Sequence, residues 1–210
     1  KCASAYERTL DFGNPKNAQE LYSCAKSSFN TTIEKLSHKE QIAYGNYIFH
    51  YILEKLRKNN IAIQIHTGTA IQPGSHPEKL EKTIAYYPEL KFDLLHFGYP
   101  WTDSVLELIG KFDNCYSDFT WIPQLETQRI QKLTNQLTEM QLWHKIMAFG
   151  GDCACIEGTI GALEALMEKL TIAFTDKLHV SCAPQLSMPE IEEIIHSIFT
   201  ETPKKIFKIA

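Results

Sequence analysis

The sequence predicts an α/β protein whose parallel strands alternate with helices and carry polar side chains at one rim. Two short apolar runs each end in a histidine followed by a glycine-containing loop, His66 in IAIQIHTG and His96 in FDLLHFGYP. A third run, KIMAFGGD, ends in Asp152. Because parallel strands place their carboxyl ends on one rim, this pattern brings two imidazoles and a carboxylate to the rim where α/β barrels hold their active sites.

The apolar pattern along the chain predicts each element in turn. Residues 17–29 are loosely helical, and His38–Asn59 has apolar residues at three- and four-residue spacing, as an amphipathic helix does. Residues 61–66 follow as a nearly apolar strand, as expected for a parallel strand that is buried on both faces. The same alternation predicts strands at 92–96, 115–120 and 145–149. It predicts further helices at 77–87, 102–112, 126–142, 158–176 and 189–199, with Ser187 and Glu190 as a capping box for the last.

Four strands that are each followed by a helix predict parallel pairing with right-handed crossovers. One architecture with this pattern is an open, doubly wound sheet. The other is part of a (β/α)8 barrel, in which four units alone would leave exposed sheet edges. We favour the barrel because of the rim residues. We therefore expect residues 1–210 to be a single domain covering about strands 4–8 of a TIM-type barrel, with the earlier strands upstream of Lys1.

Composition and charge narrow the range of partners. The 21 basic and 25 acidic residues give a net charge of −4 and no basic patch, so nucleic-acid binding is not expected. No apolar stretch approaches the roughly 18 residues of a membrane span, so no membrane association is expected. Six scattered cysteines predict reduced thiols in a cytoplasmic protein. The CAC sequence at Cys153 and Cys155 lacks the spacing and the second pair typical of structural zinc.

His66, His96 and Asp152 are the residues that predict metal chemistry. Each has a structural explanation when taken alone, as a packed histidine or as a turn-forming aspartate. At equivalent ends of successive strands, however, the two imidazoles suit zinc or a similar metal. We predict that Asp152 both ligates the metal and takes a proton from the water that the metal activates. The predicted cofactor is a divalent metal, with zinc preferred and manganese as one alternative.

Several segments also resemble a known family. IQIHTG, DLLHFGYPW, NCYSDFTW and IMAFGGD, with the opening KCASAYERTL and the closing TPKKIFKI, are similar to the C-terminal half of the amidohydrolase superfamily, in its amidohydrolase-related branch. The resemblance implies a distorted (β/α)8 barrel with one or two metals. It implies that Lys1 is the strand-four lysine that bridges two metals when carbamylated. His66, His96 and Asp152 match the ligands of strands five, six and eight. The family's first-strand His-x-His pair has no counterpart here.

Four residues are predicted to bind the substrate, each with a structural alternative. Tyr6 and Arg8 follow the opening segment, which is the expected fourth strand. The guanidinium of Arg8 suits a substrate carboxylate or a surface salt bridge with Glu7 or Asp11. Tyr99 and Trp101 follow His96, where a barrel pocket collects aromatic residues and where packing under a loop is equally expected. Asp118 is expected either to orient a ligand histidine or to make a structural hydrogen bond.

These observations predict a metal-dependent hydrolase that cleaves a C–N or C–O bond in a small molecule, carboxylated if Arg8 binds it. The alternatives within the branch are a decarboxylase or a sugar-acid isomerase. A non-catalytic or truncated barrel relative without metal is a further alternative. A nucleotide or phosphate binder is disfavoured, since no glycine-rich phosphate loop follows a strand. Exposed barrel edges also predict a homo-oligomer.

Overall fold

The structure, a computed structural model, describes residues 1–14, 18–26, 29–69, 73–179 and 184–208. Its centre is a parallel sheet of four strands that pair in chain order. The strands are β1 (Ile63–His66), β2 (Phe92–Leu95), β3 (Cys115–Asp118) and β4 (Ile146–Met147). All four lie within segments predicted as strands and pair in parallel, so the predicted α/β class is confirmed.

Helices surround the sheet, and several of their bounds differ from the prediction. They are α1 (Ala18–Ala25), α2 (His38–Asn59), α3 (Glu81–Tyr86), α4 (Thr102–Lys111), α5 (Ile122–Leu125), α6 (Thr127–Met140), α7 (Ile156–His179), α8 (Met188–His196) and α9 (Thr202–Phe207). Among the described helices, none has the length and apolar character needed to cross a membrane.

Helix ends follow the local capping chemistry. The helix α2 has the predicted bounds because Ser37 and Glu40 form a capping box and Asn60 adopts a left-handed conformation with φ 52°. The predicted capping box of Ser187 and Glu190 is confirmed at the start of α8. Two predicted helices are divided instead. A 3-10 turn (Pro77–Leu80) precedes α3, and a π-helical turn (Ser197–Glu201) separates α8 from α9.

The strand order identifies the architecture. A doubly wound sheet reverses its order at a switch point, whereas a barrel adds each unit beside the preceding one. Here β1 to β4 follow one another without reversal. Cys2 also bridges in parallel to Ile65, which places the start of the chain in the next strand position beside β1. The described residues are therefore consecutive units of a (β/α) barrel, as predicted.

Alternating residues give the sheet an outer face toward the helices and an inner face. Leu94 of β2 belongs to the main hydrophobic core on the outer face. Its neighbour Asp93 lies on the inner face, where the side chain of Gln64 donates a hydrogen bond to it at 2.8 Å. Tyr116 and Met147 continue the inner face and pack against α9. The strand-end residues on this inner face are His66, Leu95, Asp118 and Met147.

The loops after β1 and β2 meet at Gly68. This residue follows His66 by two positions and has φ +65°, a conformation that favours glycine. A Cβ on Gly68 would stand 2.0 Å from the carbonyl oxygen of Tyr99, so no side chain fits. This close approach holds the loop after His66 against the loop after His96.

We expect Gly68→Ala to lower the free energy of unfolding by about 3 kcal/mol, because it adds left-handed strain to a backbone clash. Chemical denaturation of the purified protein measures the change. Gly110→Ala in α4 is the matched control, since its added Cβ would meet its nearest neighbour at an ordinary 3.6 Å. A Gly68→Ala protein as stable as the Gly110→Ala protein would contradict this account of the loop contact.

Candidate metal centre

Side chains from three strand ends meet at the predicted rim. His66 ends β1, His96 follows β2 directly, and Asp152 lies in the loop after β4. One ligand-capable atom of each residue lies within 4.8 Å of the other two. The Nε2 atom of His96 is 2.8 Å from Nδ1 of His66 and 3.7 Å from Oδ2 of Asp152. Three of the four predicted ligands are therefore neighbours, and the fourth, Lys1, contacts the same aspartate.

The carboxylate of Asp118 holds the main chain that carries His96. Its Oδ1 accepts hydrogen bonds from the N–H groups of His96 and Thr120, both at 3.0 Å. His96, Trp121 and Asp152 all have positive φ, at 64°, 67° and 39°. Such conformations cost roughly 1–3 kcal/mol each and persist where the surroundings hold them. Of the two roles expected for Asp118, the structure shows the structural hydrogen bond and not a bond to the histidine ring.

The imidazole of His96 is held in the tautomer that a metal ligand needs. Its Nδ1 lies 3.3 Å from the carbonyl oxygen of Thr120. Because a carbonyl oxygen can only accept, this contact assigns the proton to Nδ1 and leaves the lone pair of Nε2 facing the cluster. Burial, reinforced by the neighbouring His66, lowers the pKa of His96 to about 4. The ring is therefore neutral at neutral pH.

His66 lies between Tyr6 and His96. Since Nε2 of His96 carries no proton, Nδ1 of His66 is the donor in the 2.8 Å contact between the two rings. The hydroxyl of Tyr6 is 3.3 Å from the same Nδ1. The Nε2 atom of His66 faces Asp152, with Oδ2 at 4.0 Å. Burial, followed by the charge of Lys1, lowers the pKa of His66, so this ring is also in the neutral form that binds metals.

Asp152 is ionised and paired with Lys1. The Nζ atom of Lys1 donates a hydrogen bond to Oδ1 at 2.6 Å. Burial by itself would raise the pKa of Asp152, but the hydrogen bond and charge of Lys1 outweigh it, and the pKa lies below its usual value. Oδ2 remains directed at the histidines. As an ammonium group Lys1 has donors and no lone pair, so in this form it positions the carboxylate.

Trp121 links two of the three cluster residues. Its indole stacks on the ring of His96, with centroids 4.3 Å apart and planes 14° from parallel. Its Nε1 donates a hydrogen bond to the main-chain carbonyl of Asp152 at 3.1 Å. Sequence reasoning did not find this link or the carbonyl of Thr120, because a main-chain acceptor has no signature in the identity of its side chain.

Two buried carboxyl groups lie further along the inner face. Desolvation raises the pKa of Asp118 to about 6 despite its hydrogen bonds. Desolvation and the charge of Asp118 raise the pKa of Asp93 well above its usual value. Gln64 donates to one oxygen of Asp93, and the other has no partner among the described residues. A cavity of about 330 Å³ is lined by Asp118 together with Lys1, Gln64 and Asp152 among others.

The predicted aromatic pocket residues lie in the loops around the rim. Tyr6 contacts His66, as described above. Trp101 lies with its ring 4.8 Å from that of His76 and lines a surface cavity of about 560 Å³. Tyr99 has the guanidinium of Arg129 over its ring at 5.8 Å. Of the three aromatic residues, Tyr6 is the one whose side chain has a hydrogen-bonding contact with the cluster, whereas Tyr99 donates its main-chain N–H to the carbonyl of His96 at 2.9 Å.

The guanidinium of Arg8 is engaged by neighbouring parts of the chain. It donates to Oδ1 of Asn46 in α2 at 2.7 Å and to the carbonyl of Asp11 at 3.0 Å. It also lies 4.7 Å from the centre of the Phe12 ring. Through these contacts Arg8 joins residues 8–12 to α2. The substrate-binding role of Arg8 stays a prediction.

Comparison with known proteins identifies the family. The family model of the amidohydrolases matches residues 33–209, which is most of the chain. The chain belongs to the amidohydrolase family. This confirms the resemblance seen in the sequence segments at the strand ends. Among curated proteins, fluG of Emericella nidulans is 37% identical over 68 residues, which are 30% of this chain and 8% of that protein.

Solved structures share the fold of this amidohydrolase chain. A Lactobacillus casei protein assigned as a metal-dependent hydrolase matches with a TM-score of 0.70 and 19% identity, over 98% of this chain and 54% of its own. Uronate isomerase from Thermotoga maritima matches with a TM-score of 0.65 and 15% identity, over 93% and 46%. An uncharacterised TIM-barrel protein of Bordetella bronchiseptica matches at 0.53 and 14%, over 91% and 72%. The chain thus spans about half the length of the first two.

The lowered pKa of His96 predicts a pH-dependent stability. The unfolded chain takes up this proton near the ordinary value of 6.5, and the folded protein only near 4. The stability that neutral His96 contributes is therefore present above pH 6.5 and is lost as the pH falls. After treatment with a chelator, we expect the wild type to lose about 2 kcal/mol more than His96→Gln between pH 7.5 and 5.

Urea unfolding of both proteins at the two pH values measures this difference. The comparison uses a variant that keeps Asp118 because the raised pKa of that group acts with the opposite sign, stabilising the fold as the pH falls through 6. Equal pH dependence in the two proteins would contradict the neutral, buried state of His96.

Proposed function

We propose that this protein is a metal-dependent hydrolase that holds a divalent metal with His66, His96 and Asp152. The observation that carries the proposal is the meeting of two neutral imidazoles and one ionised carboxylate, with the lone pair of His96 Nε2 facing the others. The proposed reaction is hydrolysis of a C–N or C–O bond in a small-molecule substrate. The family match and the strand-end positions of the three residues support it.

The donor set fits a divalent transition metal. Two imidazoles and one carboxylate form a set that catalytic zinc uses while keeping a position open for water or substrate. Manganese accepts the same donors, and zinc is our first candidate. The lone pair of His96 that here accepts a hydrogen bond from His66 is the one offered to the metal. If Lys1 is carbamylated, as the family resemblance implies, its new oxygens supply ligands for one or two ions.

The residues of this chain have distinct proposed roles in hydrolysis. When bound, the metal polarises the scissile group and lowers the pKa of water at its open position. Asp152 is the proposed general base, because its Oδ2 lies at the cluster while Oδ1 is held by Lys1. Tyr6 is placed to donate a hydrogen bond to the substrate, since its hydroxyl lies beside His66.

The loops at the rim are the proposed substrate-binding surface. Tyr99 and Trp101 would contact an apolar or aromatic part of the substrate at the mouth of the site. Arg8 would have to leave its hydrogen bond with Asn46 to bind a substrate carboxylate. Binding of a carboxylated substrate by Arg8 therefore requires that the substrate carboxylate replace Asn46.

Sugar-acid isomerisation is the second candidate reaction. Two of the matching structures are uronate isomerases, from Thermotoga maritima and Bacillus halodurans. An isomerase moves a proton between two carbons of one molecule and consumes no water, whereas a hydrolase yields two products. Incubation with uronates on one hand, and with amides and esters on the other, separates the two reactions by the number of products formed.

We expect His66→Asn and His96→Asn in the full-length protein to lose stoichiometric metal, because asparagine removes the imidazole donor. The loss of affinity should exceed the roughly 10–100-fold effect of removing an outer partner of a ligand. Elemental analysis and zinc titration measure it. His196→Asn is the matched control, since His196 is exposed and pairs with Glu201 away from the cluster.

Unchanged metal content in His66→Asn would overturn the assignment of His66. A wild-type protein without metal would overturn the metal-dependent mechanism and leave a non-catalytic barrel relative.

We also propose that residues 1–210 are the C-terminal portion of a barrel whose remaining units come from another part of the protein. Supporting this, α7 has an apolar stripe that the described residues leave exposed. Its members recur at four- and three-residue spacing and are Ile156, Ile160, Leu163 and Met167. The neighbouring face of α7, with Leu166 and Leu170, is buried in the core. Cytoplasmic location and homo-oligomerisation stay predictions from the sequence.

In the full-length protein, we expect Ile160→Glu to lower the melting temperature by about 5 °C or more, because it places a charge in a covered apolar contact. Ile172→Glu is the control on another face of the same helix, where Ile172 is 44% exposed and Ile160 is 53% exposed. Differential scanning calorimetry compares the two variants. Equal melting temperatures would show that Ile160 faces solvent in the whole protein and that no other barrel unit covers the stripe.

A further inference from the structure

Two cysteines lie directly beside the proposed metal centre. Cys153 follows Asp152 in the chain, and Cys155 immediately precedes the start of α7. Both are exposed free thiols. Neither belongs to the group of metal-ligating side chains formed by the described residues. The hydrolytic mechanism proposed above makes no use of them.

The two thiols share one space over the first turn of α7. The point where a Cβ on Gly158 would stand lies 3.5 Å from Sγ of Cys153 and 3.6 Å from Sγ of Cys155. The glycine therefore leaves room that both sulfur atoms border. Cα atoms two residues apart lie at most about 7.6 Å from each other, close to the range of about 4.4–6.8 Å that a disulfide spans. The pair can thus close with a rotation of side chains and a small change of the loop.

The thiol of Cys153 also supports the loop that carries Asp152. Its Sγ donates a hydrogen bond to the carbonyl of Gly151 at 2.8 Å. On the other side, a Cβ on Gly151 would meet the side chain of Thr159 at 2.8 Å, so this loop is closely packed against α7. A disulfide has no S–H group. Oxidation of Cys153 therefore removes the donor that holds the residue next to Asp152.

We propose that Cys153 and Cys155 are a reversible thiol–disulfide site that weakens the metal centre when it is oxidised. The oxidant class is a small-molecule disulfide such as oxidised glutathione. One thiolate attacks it to form a mixed disulfide and releases one reduced glutathione. The second protein thiolate then displaces the other glutathione. One S–S bond is broken and one is formed, and the two protein thiols lose two protons and two electrons to the two glutathione molecules.

The effect on the metal centre rests on the function proposed above. Loss of the hydrogen bond to Gly151 frees the loop in which Asp152 has φ 39° and receives the indole N–H of Trp121 at its carbonyl. His66 lies in β1, and His96 lies directly after β2 with its N–H held by Asp118, so both histidines keep their positions. The carboxylate is thus the ligand that oxidation displaces. A tenfold weakening of metal affinity is the order expected for losing a contact that orients a ligand.

The test treats the full-length protein with oxidised glutathione and then maps disulfides in peptides by mass spectrometry. We expect a disulfide between Cys153 and Cys155, reversed by dithiothreitol, in the wild type. Cys153→Ser and Cys155→Ser should each stop at a mixed disulfide with glutathione. Gly158→Ala should slow closure because its Cβ would lie 3.2 Å from Cβ of Cys153. The control is Gly161→Ala on the same helix, where the added Cβ meets nothing within 4 Å.

Zinc titration of the reduced and oxidised wild type completes the test. A dissociation constant about tenfold higher after oxidation, absent in Cys153→Ser, supports the proposal. Failure of the wild type to join Cys153 to Cys155 overturns it, whatever the metal content. A disulfide that forms without changing the zinc affinity overturns its coupling to the metal centre. If the reduced protein binds no zinc at all, the proposed function fails with that coupling, and the peptide map shows separately whether the thiols react.

Discussion

The geometry of the candidate metal centre depends on one carboxylate, that of Asp118 at the end of β3. It accepts hydrogen bonds from the N–H of His96, after β2, and from the N–H of Thr120, after β3. The parallel register that pairs Leu94 with Ser117 brings these two strand ends to the same level. With the main chain held there, the carbonyl of Thr120 reaches the ring of His96 and sets its tautomer. Removing Asp118 would release the main chain at His96 and at Thr120, which precedes Trp121; His96 and Trp121 both have positive φ.

Burial determines which groups at the rim carry charge. The two histidines are almost fully buried, and desolvation keeps them neutral. Asp118 and Asp93 are buried as well, and their raised pKa values reflect the free energy of burying a charge without a cation. The ionised pair of Lys1 and Asp152 is the part of the centre that meets solvent, with 41% and 25% of the side chains exposed. The candidate ligands His66, His96 and Asp152 are therefore already in the protonation states that a metal requires.

The local sequence pattern predicted the bounds of an element well where contacts within that element decide them. It predicted them less well where contacts with other elements decide them. The bounds of α2 follow from a capping box within four residues and agree with the prediction. The predicted strand 145–149 is reduced to two residues because the N–H of Ala148 donates to the carbonyl of Ile198 after α8. The predicted strand 115–120 ends at Asp118 because Thr120 turns back to that carboxylate. The contact with Ile198 cannot be read from the strand that it shortens. Asp118 lies in its own strand, but the N–H of His96 that also holds its carboxylate comes from another strand end.

The sequence alone determined the parallel α/β class, the assignment of the chain to a (β/α) barrel and the three polar residues at the strand ends. These follow from apolar periodicity and from the direction that parallel strands share. Only the tertiary structure decided which ring nitrogen of His96 is free, which oxygen of Asp152 faces the histidines, and that Trp121 joins the two residues. The reason is physical. Each of these choices depends on a hydrogen bond or ring contact with a residue more than 20 positions away in the chain, and such a contact leaves no local pattern in the sequence.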